Sequence, residues 1–134
     1  MTGRLTAGAL LLALAGCGAD EGTACPAIGH SSTLVVELAQ GWPDEPGRSV
    51  QVECDAPCAD PYATLAPASE RTAALTGTAA ELSWFNGVDA VVVTVLGADD
   101  AEQAEVTSDL DWVRVGGTAE CGGPLQATVT VPAP

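Results

Sequence analysis

The sequence predicts an all-β domain, folded as a two-layer antiparallel sandwich of about seven strands. Three observations carry that expectation. Apolar residues recur with period two rather than 3.6 in several short runs, the mark of half-buried strands. Turn-forming clusters of Gly, Pro, Asn and Asp punctuate those runs at roughly the 8–12-residue spacing of an all-β sandwich. One run, "VDAVVVTVL", is apolar on both faces, as a strand at the centre of a sandwich must be. Together they point to the immunoglobulin-like type of sandwich. The Cys…Trp…Cys pattern of true immunoglobulin domains is not cleanly present, so the expectation concerns architecture alone.

The elements follow in order. In "STLVVELA", Leu34, Val36 and Leu38 share one face, with Val35 and Glu37 on the other. The loop "GWPDEPG" ends that strand. In "RSVQVEC", Val50, Val52 and Cys54 alternate with Ser49, Gln51 and Glu53, before the turn "CDAPCADP". "RTAALTG" is a weaker strand, followed by "AAELSWF". Asn86-Gly87 then separates that run from "VDAVVVTVL", and this dipeptide is the strongest short hairpin signal in the chain. "GADDAEQ" turns the central strand into another, where Ala104, Val106, Leu110 and Trp112 can share a face. In "LQATVTV", Leu125, Ala127, Val129 and Val131 alternate with Gln126, Thr128 and Thr130. No internal repeat or low-complexity segment interrupts the pattern.

Ahead of the strands lies a different kind of segment. Arg4 is followed by an apolar run from Leu5 to Leu14, then by Ala15, Gly16 and Cys17. The run is too short to span a bilayer, which takes about 20 apolar residues, and it reads as a secretory signal. Leu14-Ala15-Gly16-Cys17 resembles the lipobox of bacterial lipoproteins. That resemblance implies a diacylglyceryl group on the Cys17 thiol and cleavage just before it. Residues 1–16 would then be a signal peptide, 17–31 a lipidated cysteine with a short spacer, and 32–134 the sandwich. Two acyl chains give stable anchoring at about 0.8 kcal/mol per buried CH₂. The implied location is the extracytoplasmic face of the cell membrane. The part after the signal, through "CPAIG", "DLDWVRVGG" and "CGGP", is similar to small cysteine-containing lipoproteins of high-GC Gram-positive bacteria. That second resemblance carries no activity with it.

Four further cysteines, Cys25, Cys54, Cys58 and Cys121, form an even set that reads as two disulfides in an exported domain. Three pairings are open to four cysteines. The favoured one joins Cys54 to Cys58 across "CDAPC" and Cys25 to Cys121; Cys54, on the core face of its strand, could instead cross the sandwich. A four-thiolate metal site fits less well, because structural zinc sites usually present two close cysteine pairs and only one exists here.

Charge excludes whole classes of function. The chain has a formal net charge of −14. Lysine is absent, and after residue 16 only Arg48, Arg71 and Arg114 oppose 18 acidic residues, which gives −15. A surface so poor in cations cannot neutralise phosphates, so nucleic acids and anionic lipid headgroups are excluded as electrostatic partners. A basic protein partner fits this charge.

No catalytic constellation emerges from the residues. His30, the only histidine, has Ser31 and Ser32 beside it in sequence and no orienting group, so it reads as an exposed loop-end residue. Paired carboxylates could in principle hydrolyse a glycoside, which would make the chain a small envelope hydrolase, but that chemistry calls for a deep cleft. Asp99, Asp100, Glu102, Glu105, Asp109 and Asp111 flank one predicted hairpin and suggest a calcium-binding adhesion-type module as a further alternative. They lack EF-hand spacing and read first as a solvated acidic loop. Copper would want methionine and histidine ligands, and no methionine follows residue 16. Trp42, set among prolines, is the aromatic expected to be exposed for binding; Trp84 and Trp112 fall in strand patterns and are expected in the core. Arg114 is expected to pair with neighbouring acids and to stack on Trp112. The overall expectation is a non-catalytic binding or structural sandwich without cofactor or metal.

Overall fold

The structure, a computed structural model, describes residues 22–58, 69–83 and 88–134. Cys17 and the segment before it, Tyr62, Trp84, Phe85, Asn86 and Gly87 lie outside the described residues. Among the described residues eight strands form: β1 (Thr33–Leu38), β2 (Ser49–Cys54), β3 (Glu70–Ala74), β4 (Ala79–Ser83), β5 (Ala90–Leu96), β6 (Glu102–Asp109), β7 (Val113–Arg114) and β8 (Leu125–Val131). They make two four-stranded sheets, ordered β4-β1-β8-β7 and β3-β2-β5-β6.

Period-two alternation dictates which residues meet between the sheets. Leu34, Val36 and Leu38 of β1 and Ala127, Val129 and Val131 of β8 turn inward from one sheet. Val50 and Val52 of β2 and Val91, Val93 and Val95 of β5 meet them from the other. Most of these are valines, whose branched Cβ suits a pleated, buried surface. Each contributes about 1.5–3 kcal/mol on full burial. β5 lies between β2 and β6, the central place that its two apolar faces predict. Adjacency of β1 with β4 in one sheet and β2 with β5 in the other matches the B–E and C–F pairs of immunoglobulin-like sandwiches.

Three features differ from the sequence expectation. The pairing of β1 with β8 is parallel, with Val36 opposite Val129, whereas every other strand pairing is antiparallel. The final strand therefore enters the sheet beside the first one running the same way. Second, β4 and β5 do not form a hairpin across Asn86-Gly87; they belong to opposite sheets. Both edges of β5 are taken by β2 and β6, so no edge is left for β4. Third, an eighth strand appears: the two-residue β7 pairs with the start of β8, Val113 opposite Gln126.

The two sheets share a common set of ends. At the upper end lie the 39–48 loop between β1 and β2, the 75–78 turn, the β5–β6 hairpin tip and the C-terminal residues. The lower end holds the approach to β1, both disulfides and the 115–124 loop.

Candidate functional site

The upper end gathers the chain's most specific polar chemistry around Arg48. Gly47, at φ +86°, makes a turn that most side chains resist, and Arg48 follows it directly into β2. Its side chain is buried, only 6% exposed overall. Nε donates to Gln103 Oε1 at 2.7 Å, one terminal nitrogen donates to the Pro43 carbonyl at 2.5 Å, and the other meets Glu45 Oε2 at 3.0 Å. Gln103 Nε2 also donates to that Glu45 oxygen, at 3.0 Å. The guanidinium lies 5.0 Å from the centroid of the Trp42 ring. A fork of donors on a planar cation suits this arrangement as an ammonium could not. One buried cation thus holds both ends of the Trp-Pro-rich loop and fastens it to β6.

Trp42 is not the exposed platform its prolines suggest. It is half-buried against the core, and its Nε1 donates to the Val131 carbonyl at 3.1 Å. The indole needs a partner for its N–H and finds one at the end of β8, which draws the ring inward. Shallow grooves flank the Trp42–Pro43 ridge. One is lined by Arg48, Gln103 and Pro134, the other by Leu38, Asp44 and Thr78. Sequence reasoning passed over Arg48, although one signal was present. It is one of three bases after residue 16, and it follows a Trp-Pro-Asp-Glu-Pro-Gly run with a glutamate three residues before it. Nothing local to "AEQAE" marks Gln103.

At the lower end, Cys25 is bonded to Cys121 and Cys54 to Cys58, with Cα separations of 5.2 and 5.6 Å. Cys58 is fully buried, and Cys54 packs beside the core. Around Cys121 the backbone folds back tightly. A Cβ on Gly117 would sit 2.0 Å from the Gly122 oxygen, and one on Gly123 would sit 1.9 Å from the Gly116 oxygen. The stretches "CPAIG", "DLDWVRVGG" and "CGGP" therefore meet in one place, through a disulfide and a pair of facing glycines. Arg114 does not stack on Trp112; it is exposed and donates to the Thr118 carbonyl at 2.6 Å. Trp112 packs against the core as expected, its Nε1 donating to the Val88 carbonyl at 2.8 Å. Arg48, by contrast, does lie over an indole, that of Trp42.

The acidic residues are not gathered. Asp99 and Asp100 sit at the β5–β6 tip, while Asp109 closes β6 at the other end, about 23 Å away for eight strand residues. Among the described residues, no three His, Cys, Asp or Glu side chains come together as a metal site. Glu53 and Glu70 stand opposite each other on β2 and β3, with Gln51 Nε2 donating to Glu70 at 2.9 Å. Both are exposed, and Glu53 lines an open groove with Asp55, Ala90 and Thr107 rather than a deep cleft. His30 is exposed in the approach to β1. Comparison of the chain with family models, with curated proteins and with solved structures returns no match.

Proposed function

We propose that this chain is an exported lipoprotein, anchored through Cys17, whose sandwich binds a basic protein partner outside the membrane and performs no catalysis. The observation that carries the binding part is the fixed 39–48 loop. A buried cation is costly unless fully paired, and here its four partners, Trp42, Pro43, Glu45 and Gln103, all belong to one surface loop and the strand beside it. A loop held in a single shape binds without first losing conformational entropy, which is what recognition surfaces require. Two disulfides fit an oxidising compartment outside the cytoplasm. The net charge of −14 favours a basic partner.

The anchor gives this arrangement a direction. Cys25 lies eight residue steps after Cys17, so a lipid on Cys17 would hold the disulfide end within about 28 Å of the bilayer surface. The Trp42 loop, at the opposite end, would face outward.

Two experiments test the reading. Fractionation of host cells should place the wild-type protein in the membrane and release Cys17→Ala, with the mass difference of a missing lipid; retention of Cys17→Ala at unchanged mass refutes the anchor. Crosslinking on intact cells, followed by capture, should recover a basic protein. Recovery of none, together with turnover of envelope glycans that disappears on mutating two acids, replaces binding with hydrolysis.

A further inference from the structure

We infer that the open edge of β8 above β7, Ala127–Val131, is a strand-addition site for an extended basic segment of another protein. The inference deepens the binding reading and rests on it, but it does not depend on the anchor.

β8 pairs with β1 along Gln126–Val131, while β7 covers only Leu125 and Gln126 on the other side. The Val131 carbonyl points toward β1, where it accepts from the Ala39 N–H at 2.9 Å. Because backbone groups alternate in direction along a strand, Thr128 and Thr130 turn their N–H and C=O groups the opposite way. Gln126 has the same parity, and it is the residue that β7 takes up, with the Val115 N–H donating to the Pro124 carbonyl one step further down. Two donors and two acceptors are thus aimed at an edge that no described strand occupies.

The reason β7 stops is visible in the register. Continued upward, it would set Asp111 against Thr128 and Asp109 against Thr130. Asp109 is instead paired with Ala90 in the other sheet, and residues 110–112 carry the chain across. Among the described residues no strand pairs with this side of β8 above β7, and β6 passes beside it.

This edge also lacks the protection the others carry. Exposed edges are usually blunted by charge, proline or brevity. β3 has Glu70 and Arg71, β4 has Glu81, and β6 has Glu102, Glu105 and Asp109. "LQATVTV" has neither charge nor proline and is rich in β-branched residues, a composition that favours pairing. Thr128 and Thr130 are exposed, and Val113 and Val115, 57% and 58% exposed, continue the same line below.

Charge chooses the occupant. The strand bounding the vacant side carries Glu102, Glu105 and Asp109, with Asp111 just beyond. A second copy would bring its own charge of −14 against them, so a strand of alternating basic and apolar residues fits best.

The test uses the oxidised full-length protein and a synthetic eight-residue peptide of alternating lysine and valine. Expected are slowed hydrogen exchange at the Thr128 and Thr130 amides and affinity that falls with salt. The same peptide N-methylated at alternate residues should bind about thirtyfold more weakly, since the Thr128 and Thr130 carbonyls each lose a backbone bond that counts for about 1 kcal/mol. Thr128→Pro removes one outward N–H without touching the β1 ladder, a position where proline is tolerated, and should weaken binding about fivefold. The N-methylated probe leaves the protein unaltered, so the answer stands even where Thr128→Pro perturbs folding. Absence of protection, equal binding of the N-methylated peptide, or protection elsewhere overturns the inference. Protection of these amides by protein concentration alone overturns it in favour of a second copy. A partner captured from cells that binds Thr128→Pro undiminished leaves the binding reading intact and removes this edge from it.

Discussion

Arg48→Ala is the perturbation that most directly probes the upper end. It removes three hydrogen bonds from a charged donor and the cation over Trp42. Hydrogen bonds to charged groups contribute about 1.5–3 kcal/mol each, but the three cannot simply be added here. Glu45's side chain is 37% exposed and regains water when its partner is lost. Gln103 keeps its bond to that same glutamate. The Pro43 carbonyl and the vacated space beside the indole are the costs left uncompensated. We expect a net loss of about 3 kcal/mol, toward the lower end of what breaking a buried ion pair costs. For a domain near 100 residues that lowers Tm by about 12–24 °C. Far-UV circular dichroism through thermal and urea unfolding measures it, and an unchanged urea m-value would assign the loss to stability alone. Arg48→Lys, with a point charge in place of the fork, should recover less than half. A loss within about 0.5 kcal/mol for Arg48→Ala would refute the reasoning, placing the network among surface pairs that contribute little.

The two disulfides should differ in stabilisation according to the loops they close. In the loop-entropy model the bridge spanning 96 residues contributes about 4–5 kcal/mol and the one spanning 4 about 2 kcal/mol. Paired serine substitutions at Cys25 and Cys121 should therefore lower the urea midpoint more than those at Cys54 and Cys58, and the reverse order would contradict it. Gly123→Ala places a Cβ 1.9 Å from a backbone oxygen and should cost about 3 kcal/mol through a forced shift of the 116–123 loop. Hydrogen exchange should accelerate first at the Val115 and Thr118 amides, which donate across that loop; exchange unchanged there would show that the glycines are free to separate.

The strands were legible in the sequence because burial on one face imposes period two on the residues themselves. Leu34, Val36 and Leu38 needed no partner to be recognised as a core face. Which strands pair was far less legible. Asn86-Gly87 is a local signal, and it could not register that β2 and β6 already occupy both sides of β5. The parallel entry of β8 beside β1 is a contact between chain ends, and nothing in "LQATVTV" encodes its direction. Trp42 was misjudged for a related reason. Neighbouring prolines describe the loop, whereas the indole answers to a carbonyl 89 residues away. Arg48 and Gln103 are 55 residues apart, and their meeting is a consequence of topology that no spacing announces.

Both ends of the sandwich are fixed, each by different chemistry, and this bears on how it could recognise a partner. Below, a disulfide and facing glycines leave the 115–124 loop little freedom. Above, a buried cation performs the same service for the 39–48 loop. Recognition by rearrangement of either loop would have to break a covalent bond or strand a charge, and both are expensive. The open side of β8 requires neither. Its donors and acceptors at Thr128 and Thr130 already face outward, held in line by the β1 ladder on their other side. An incoming strand meets a surface whose ordering cost was met on folding, so association loses entropy chiefly from the partner. Specificity then comes from the side chains of that partner against the carboxylates of β6, and should weaken with salt while the backbone ladder persists.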